Sequence, residues 1–256
     1  MPAGSKLKAL IGPHAGFRFS GPTAAWAYRN LQETASQFDR VVVLGVSHKV
    51  YLDFIGTTTA QEWAIPLGNL TIDEETVEDL CKQTQQSGSD INVQKIQLRF
   101  EENEHSLELH LPYIQKCFKD AGKTDVKMVP LMVGKIPNDK YHEYAKLLLP
   151  LFKDEKTVFV VSSDFCHWGH RFDFMHQFKD EPVIHKSIER LDKMGMSLIE
   201  AEDFKGFTEY IEETQNTICG RHPIQLLLAL IEEAKKEGLG DFETKFIQYA
   251  QSEPVT

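Results

Sequence analysis

The chain has 256 residues, of which 41% are hydrophobic and 26% charged, enough to bury a sizeable core without disulfide staples. A formal net charge of −10 repels phosphate backbones, so nucleic acid is not an expected partner, and Lys and Arg form no polybasic block for anionic lipid. Four cysteines (Cys81, Cys117, Cys166 and Cys219) form no C-x-x-C pair and are too sparse for a disulfide framework. They point to a reducing compartment: the cytoplasm, with the nucleus as a second location. No stretch approaches the roughly 20 apolar residues of a membrane helix, and no signal peptide is read at the N-terminus, so membrane insertion is not expected.

In chain order, residues 8–12 predict a first strand, followed by a helix over 22–33 with Ala25, Ala27 and Leu31 on one face. A second strand is predicted at 41–45, and a helix at 73–86 that opens with acidic residues, as helix N-termini prefer. A helix over 105–119 carries Leu107, Leu111, Ile114 and Phe118. Then come a strand at 126–134, a helix at 138–152, a strand at 157–162, helices at 183–201, 203–214 and 222–236, and a last strand at 245–250. The strand runs are nearly continuous Val, Ile, Leu and Met, which suits strands covered on both faces. Alternating strand and helix predicts an α/β fold: a single domain over residues 1–256, with a mostly parallel central sheet and helices on both faces. A strand so near each end leads us to expect that terminal pieces of a longer domain lie outside this sequence.

The histidines then take on a pattern. His14 follows the first strand in Gly-Pro-His-Ala-Gly-Phe, and His48 follows the second in Leu-Gly-Val-Ser-His. Asp164 and His167 follow the fourth in Ser-Ser-Asp-Phe-Cys-His-Trp. Open α/β sheets bind ligands outside the carboxyl ends of their strands, so three strand ends aim imidazoles at one edge. Cys219, in Thr-Ile-Cys-Gly-Arg-His-Pro, precedes an apolar helix whose N-terminus, with Arg221, would favour thiolate. Imidazole and thiolate together suit iron, copper or zinc.

His105 and His110 are five apart, about 500° around a helix, so they do not share a face. At a helix start, His105 would face the pocket. His142, His170, His176 and His185 are read as solvated, His222 as a helix cap, and Cys81 and Cys117 as packing residues. Phe17, Phe19, Trp63 and Trp168 either wall the pocket or pack the core.

Five segments in order resemble the signatures of the Memo family (mediator of ErbB2-driven cell motility). They are Ile-Gly-Pro-His-Ala-Gly-Phe, Leu-Gly-Val-Ser-His, Glu-His-Ser-Leu-Glu-Leu-His-Leu-Pro-Tyr, Ser-Ser-Asp-Phe-Cys-His-Trp-Gly and Asn-Thr-Ile-Cys-Gly-Arg-His-Pro. The resemblance implies a fold like that of class III non-heme iron extradiol dioxygenases. It implies His14, His48 and Cys219 as ligands of an iron or copper ion, with Cys219 where those enzymes carry a carboxylate. It places His167 at the position of the catalytic base, with Asp164 beside it. It further implies redox chemistry, a role in motility signalling, and phosphorylated receptor tails or Rho-type GTPase signalling proteins as partners. A peptide or substrate pocket would be lined by Phe17, His105, Trp168, Arg171 and Arg221. The family's usual N-terminal stretch with His-Ala-Gly-Ser-Trp-Tyr is absent from this sequence, as is part of its C-terminal strand region.

Four readings follow. The first is a metal-binding, redox-active signalling protein without conventional turnover, because a thiolate in place of a carboxylate argues against ring cleavage. The second is a phosphotyrosine-peptide module using Arg171 and Arg221. The third is a metal-dependent oxygenase or hydrolase with His167 as acid/base. The fourth is a cysteine nucleophile in which His167 or His222 activates Cys219.

Overall fold

The computed structural model describes residues 5–86, 88 and 90–255. Eight strands form one sheet: β1 (Ala9–Gly12), β2 (Arg40–Val46), β3 (Ile55–Thr57), β4 (Glu62–Trp63), β5 (Leu70–Ile72), β6 (Val93–Lys95), β7 (Lys127–Val133) and β8 (Thr157–Ser162). Their order is β1-β8-β2-β7-β3-β6, with β5 also pairing β7 and β4 pairing β5. The pairs β1–β8, β8–β2, β2–β7, β5–β7 and β3–β6 are parallel, while β3–β7 and β4–β5 are antiparallel. The mostly parallel α/β sheet is therefore as the sequence predicts.

The long strands are where continuous apolar runs put them. In β2 and β7 every residue after the first is buried, and in β8 all are. Pro130 sits inside β7, where a proline has no N–H for a ladder. It falls between Met128, the last β5 partner, and Leu131, the first β3 partner.

Among the described residues eight helices surround the sheet: α1 (Phe17–Thr34), α2 (Glu74–Gln86), α3 (Leu98–Glu101), α4 (Leu111–Asp120), α5 (Tyr141–Lys153), α6 (Ile184–Glu200), α7 (Phe204–Thr214) and α8 (Arg221–Lys236). Helix α5 packs most extensively on α8, α1 packs on α4, α7 packs on both α6 and α8, and α8 also lies against β2 and β8. The central helix α8 is apolar nearly all round and is buried accordingly, from Ile224 to Ile231 without interruption.

Three predicted elements differ. Residues 245–250 form no strand. Phe246, Ile247 and Tyr249 give the segment a strand-like composition, but it is pinned by side chains instead: Tyr249 Oη donates to Asp192 Oδ2 (3.0 Å), Glu200 Oε1 accepts from Phe246 N (2.7 Å), and the Phe165 and Phe246 rings meet at 5.6 Å. A cleft of about 1430 Å³ lies between this tail and the β1–α1 side, and reaches Asp164 and His167. The helix predicted over 105–119 starts only at Leu111, after a turn that contains His105 and a 3₁₀ step at Glu108–His110. Helix α1 begins at Phe17 and absorbs Pro22. The short strands β3 to β6 and helix α3 carry too few residues to show a period and were not predicted. All four cysteines are free, and among the described residues no helix is long and apolar enough to cross a membrane.

Candidate metal centre

Sheet order explains the convergence of residues far apart in sequence. β1, β8 and β2 are neighbours and mutually parallel, so the segments carrying His14, Asp164–His167 and His48 leave the same edge side by side. Gly12 pairs with Ser162, and Leu44 with Val161, so these strand ends are level.

His14 is the hub and is almost fully buried. Its Nδ1 lies 2.6 Å from Ser162 Oγ. Ser162 gives its one hydroxyl proton to the Ser106 carbonyl (2.6 Å), so its oxygen must accept from both His14 Nδ1–H and His110 Nε2–H, the latter at 2.8 Å. His110 Nδ1 then accepts from Tyr28 Oη–H at 2.6 Å. This network makes His14 the Nδ1–H tautomer and leaves Nε2 with its lone pair free. That nitrogen faces Cys219 Sγ at 3.2 Å and Asp164 Oδ2 at 3.8 Å. Burial pushes the His14 imidazole down to about 4 against the pull of Asp164, and pushes the fully buried His110 down to about 3. Both rings are neutral at pH 7.

His48 is held through Glu104. Glu104 Oε1 accepts from His48 Nδ1–H at 2.8 Å, and Oε2 accepts from the His48 backbone N–H at 2.5 Å. The same Oε1 accepts from the backbone N–H groups of His105 and Ser106. Burial would raise the Glu104 carboxyl, but these bonds hold it down at about 2. The carboxylate orients His48 and directs its Nε2 away from the protein anchor, an arrangement found behind metal-ligating histidines. His105 stacks on His48 with ring centroids 4.6 Å apart, and its Nδ1 is 3.3 Å from the same carboxylate.

Asp164 is clamped by the backbone N–H groups of His14 (2.9 Å) and Ala15 (3.1 Å) on Oδ1, which leaves Oδ2 toward His14. Cys219 Sγ accepts from Asp164 N–H at 3.3 Å. Gly220 permits this contact: a Cβ there would stand 2.2 Å from Ser163 Cβ and 2.4 Å from the Ser162 carbonyl. The thiolate expectation is corrected. Burial pushes the Cys219 thiol up to about 12, and the Asp164 charge adds to the effect. Arg221 spends its guanidinium on the Ile218 carbonyl (3.3 Å). Two donor sets thus share His14, namely His14–His48–His105 and His14–Asp164–Cys219, and within each the ligand atoms lie no more than 4.8 Å apart.

His167 lies in neither set. Its Nδ1–H donates to the Thr217 carbonyl at 3.0 Å, its backbone N–H to Thr217 Oγ1, and its ring meets Phe172 edge-on at 5.0 Å. Phe17 is 45% exposed and packs edge-on against Tyr113. Trp168 gives its indole N–H to the His176 carbonyl, and Arg171 lies over Phe172 at the surface. His222 is not a cap but a half-buried partner of Tyr141 Oη (2.6 Å), which engages its Nδ1 away from Cys219. Nor are three other histidines simply solvated: His142 bonds Glu233, His185 Nδ1 bonds the Val255 carbonyl, and His176 lies between Phe174 and Phe178. Glu104, Ser162 and His110 were missed as site residues. Glu104 opens the Glu-His-Ser-Leu-Glu-Leu-His-Leu-Pro-Tyr segment, but nothing local says that its carboxylate turns toward residue 48.

This arrangement defines an α/β domain with an imidazole, thiol and carboxylate cluster at the carboxyl ends of three adjacent parallel strands. The chain belongs to the Memo family, whose pattern, described as Memo-like protein, matches residues 1–256. It is similar to Protein MEMO1 of Danio rerio (40% identical) and of Homo sapiens (39%), each over 245 residues that cover 96% of this chain and 79% of the relative. It is 37% identical to the Protein memo-1 homolog of Caenorhabditis elegans, over 97% of this chain and 68% of that one. A crystal structure of an uncharacterized Escherichia coli K12 protein has a TM-score of 0.53 at 16% identity, covering 88% of each chain, a likeness of fold alone.

Proposed function

We propose that this protein holds an iron or copper ion on His14, His48 and Cys219 and acts as a redox-active signalling protein in cell motility and oxidative signalling, rather than as an enzyme of conventional turnover. The observation that carries this reading is the pre-set tautomer of His14, whose lone-pair Nε2 faces Cys219 Sγ at 3.2 Å. His48, fixed by a buried carboxylate, stands 5.2 Å away between ring centroids. A mixed imidazole–thiolate set fits iron, copper or zinc better than magnesium or calcium. Binding an ion requires the thiol to give up a proton that burial otherwise holds, so uptake by this set releases protons and strengthens as pH rises.

A bound iron or copper ion supplies one-electron chemistry. The chain's own part is to orient the ligands and to keep the buried His14 imidazole neutral. Asp164 adds a negative charge beside the ligands, and His167 Nε2 is left without an anchor for proton transfer from the cleft side. In this reading the partners are phosphorylated receptor tails or Rho-type GTPase signalling proteins, and the compartment is the cytoplasm, with the nucleus as a second site. Family membership supports both.

Metal analysis of the purified protein beside Cys219→Ser and His48→Ala tests the reading. About one iron or copper ion per chain, lost or sharply weakened in both variants, is the expected result. A wild-type protein that takes up neither ion, or binding indifferent to both substitutions, overturns it.

A further inference from the structure

We infer that His105 is a further metal ligand, which with His14 and His48 makes an all-imidazole cation site that operates without Cys219. The inference rests on the metal reading above and extends it to a second set of donors.

Three observations carry it. The ligand atoms of His14, His48 and His105 lie within 4.8 Å of one another, close enough for small side-chain shifts to bring them onto one ion. Each ring has its Nδ1 turned to a protein oxygen: Ser162 Oγ for His14 at 2.6 Å, Glu104 Oε1 for His48 at 2.8 Å, and the same Glu104 oxygen for His105 at 3.3 Å. In each case Nε2 is the nitrogen left to bind. One carboxylate, 2% exposed, thus orients two imidazoles at once, and their rings stack at 4.6 Å with 21° between planes. Packing alone does not require three imidazoles together in a chain with ten histidines. Where charged, each would repel the next.

The two donor sets differ in kind. His14–Asp164–Cys219 is anionic and soft, whereas His14–His48–His105 is neutral and borderline. Because His14 belongs to both, one ion can be held toward either set. His105 is the outermost member, its side chain 44% exposed against 1% for His14, so it stands on the solvent side of the site. A divalent ion entering from solvent meets the imidazole set first.

The test uses cobalt(II) as an optical probe on the full chain, comparing wild type, Cys219→Ser, His105→Ala and the double variant. Folding is checked by circular dichroism, and His105→Gln replaces His105→Ala if the latter unfolds. Cys219→Ser is expected to keep about one cobalt ion per chain without a sulfur charge-transfer band. Adding His105→Ala should then weaken binding by at least about 10- to 100-fold, no less than the loss of an outer-shell partner costs. If the double variant binds as tightly as Cys219→Ser, His105 is no ligand and the inference falls. If Cys219→Ser binds no cobalt while wild type binds with a sulfur band, the imidazole set fails and the Cys219 reading stands. If wild type binds no cobalt, iron or copper, both fall.

Discussion

Glu104 and His48 are joined twice, side chain to side chain at 2.8 Å and carboxylate to backbone N–H at 2.5 Å. The pair orients a ligand imidazole from behind. Glu104→Ala is therefore expected to reduce metal affinity by roughly 10- to 100-fold, with Glu104→Gln in between because its amide oxygen still accepts a hydrogen bond. Competition against a chromophoric chelator measures it. Unchanged affinity in both variants would separate Glu104 from the site.

Ser162→Ala removes the one acceptor shared by His14 Nδ1–H and His110 Nε2–H. Two buried donors are left unpaired, at a cost of about 1–3 kcal/mol each if neither re-pairs. Nitrogen-15 spectra of the metal-free protein should show His14 leaving the pure Nδ1–H form. A single unaltered tautomer would show that something other than Ser162 sets it.

Gly220→Ala forces a Cβ to within 2.2 Å of Ser163 Cβ and 2.4 Å of a backbone oxygen, neither of which is a flexible end. Overpacking of this kind typically costs about 1–3 kcal/mol. Thermal unfolding should report that loss, and metal binding should weaken because Cys219 is displaced from Asp164. A variant as stable as wild type would show that the α8 N-terminus can slide.

The metal-free protein should resist alkylation at neutral pH. Burial raises Cys219 and Cys166 to about 12 and Cys117 to about 11, so each remains a thiol at pH 7.5. Iodoacetamide is expected to label the native chain slowly and the urea-unfolded chain quickly at all four cysteines. Rapid stoichiometric labelling of native Cys219 would contradict this and revive the nucleophile reading.

Acid should destabilise the fold before the ordinary carboxylates titrate. His14 is lowered to about 4, and His110 and His222 to about 3, in each case first by burial. The folded state binds these protons less well than the unfolded chain does. Their stabilisation is complete above the unfolded value of about 6.5, and falls as pH drops from there toward 4 and 3. Asp192, raised to about 6 by burial, and Glu101, also raised by burial, work in the opposite direction, but they are two groups against four once His105, likewise lowered by burial, is included. Urea midpoints should fall steadily from pH 7 to pH 5. A flat profile over that range would mean that the rings gain protons without loss of the fold.

Much of this was legible in the sequence. Runs such as 41–44 and 158–161 are apolar at every position, and only a strand covered on both faces needs that. Polar residues just past such runs lie at the binding edge of any parallel sheet, so His14, His48 and Asp164 could be placed there without coordinates. Periodicity encodes what a segment is, however, and not what it pairs with. The order β1-β8-β2, which sets three strand ends side by side, exists only once the sheet is assembled. The same is true of the bonds that prepare the ligands. Ser162 meets His14 across 148 positions of sequence, Glu104 meets His48 across 56, and Cys219 meets His14 across 205. Tertiary structure also reversed two local inferences. A helix N-terminus near Cys219 argues for thiolate, but burial beside Asp164 outweighs it. The aromatic and β-branched content of 245–250 argues for a strand, but the segment is held by side-chain anchors and forms none.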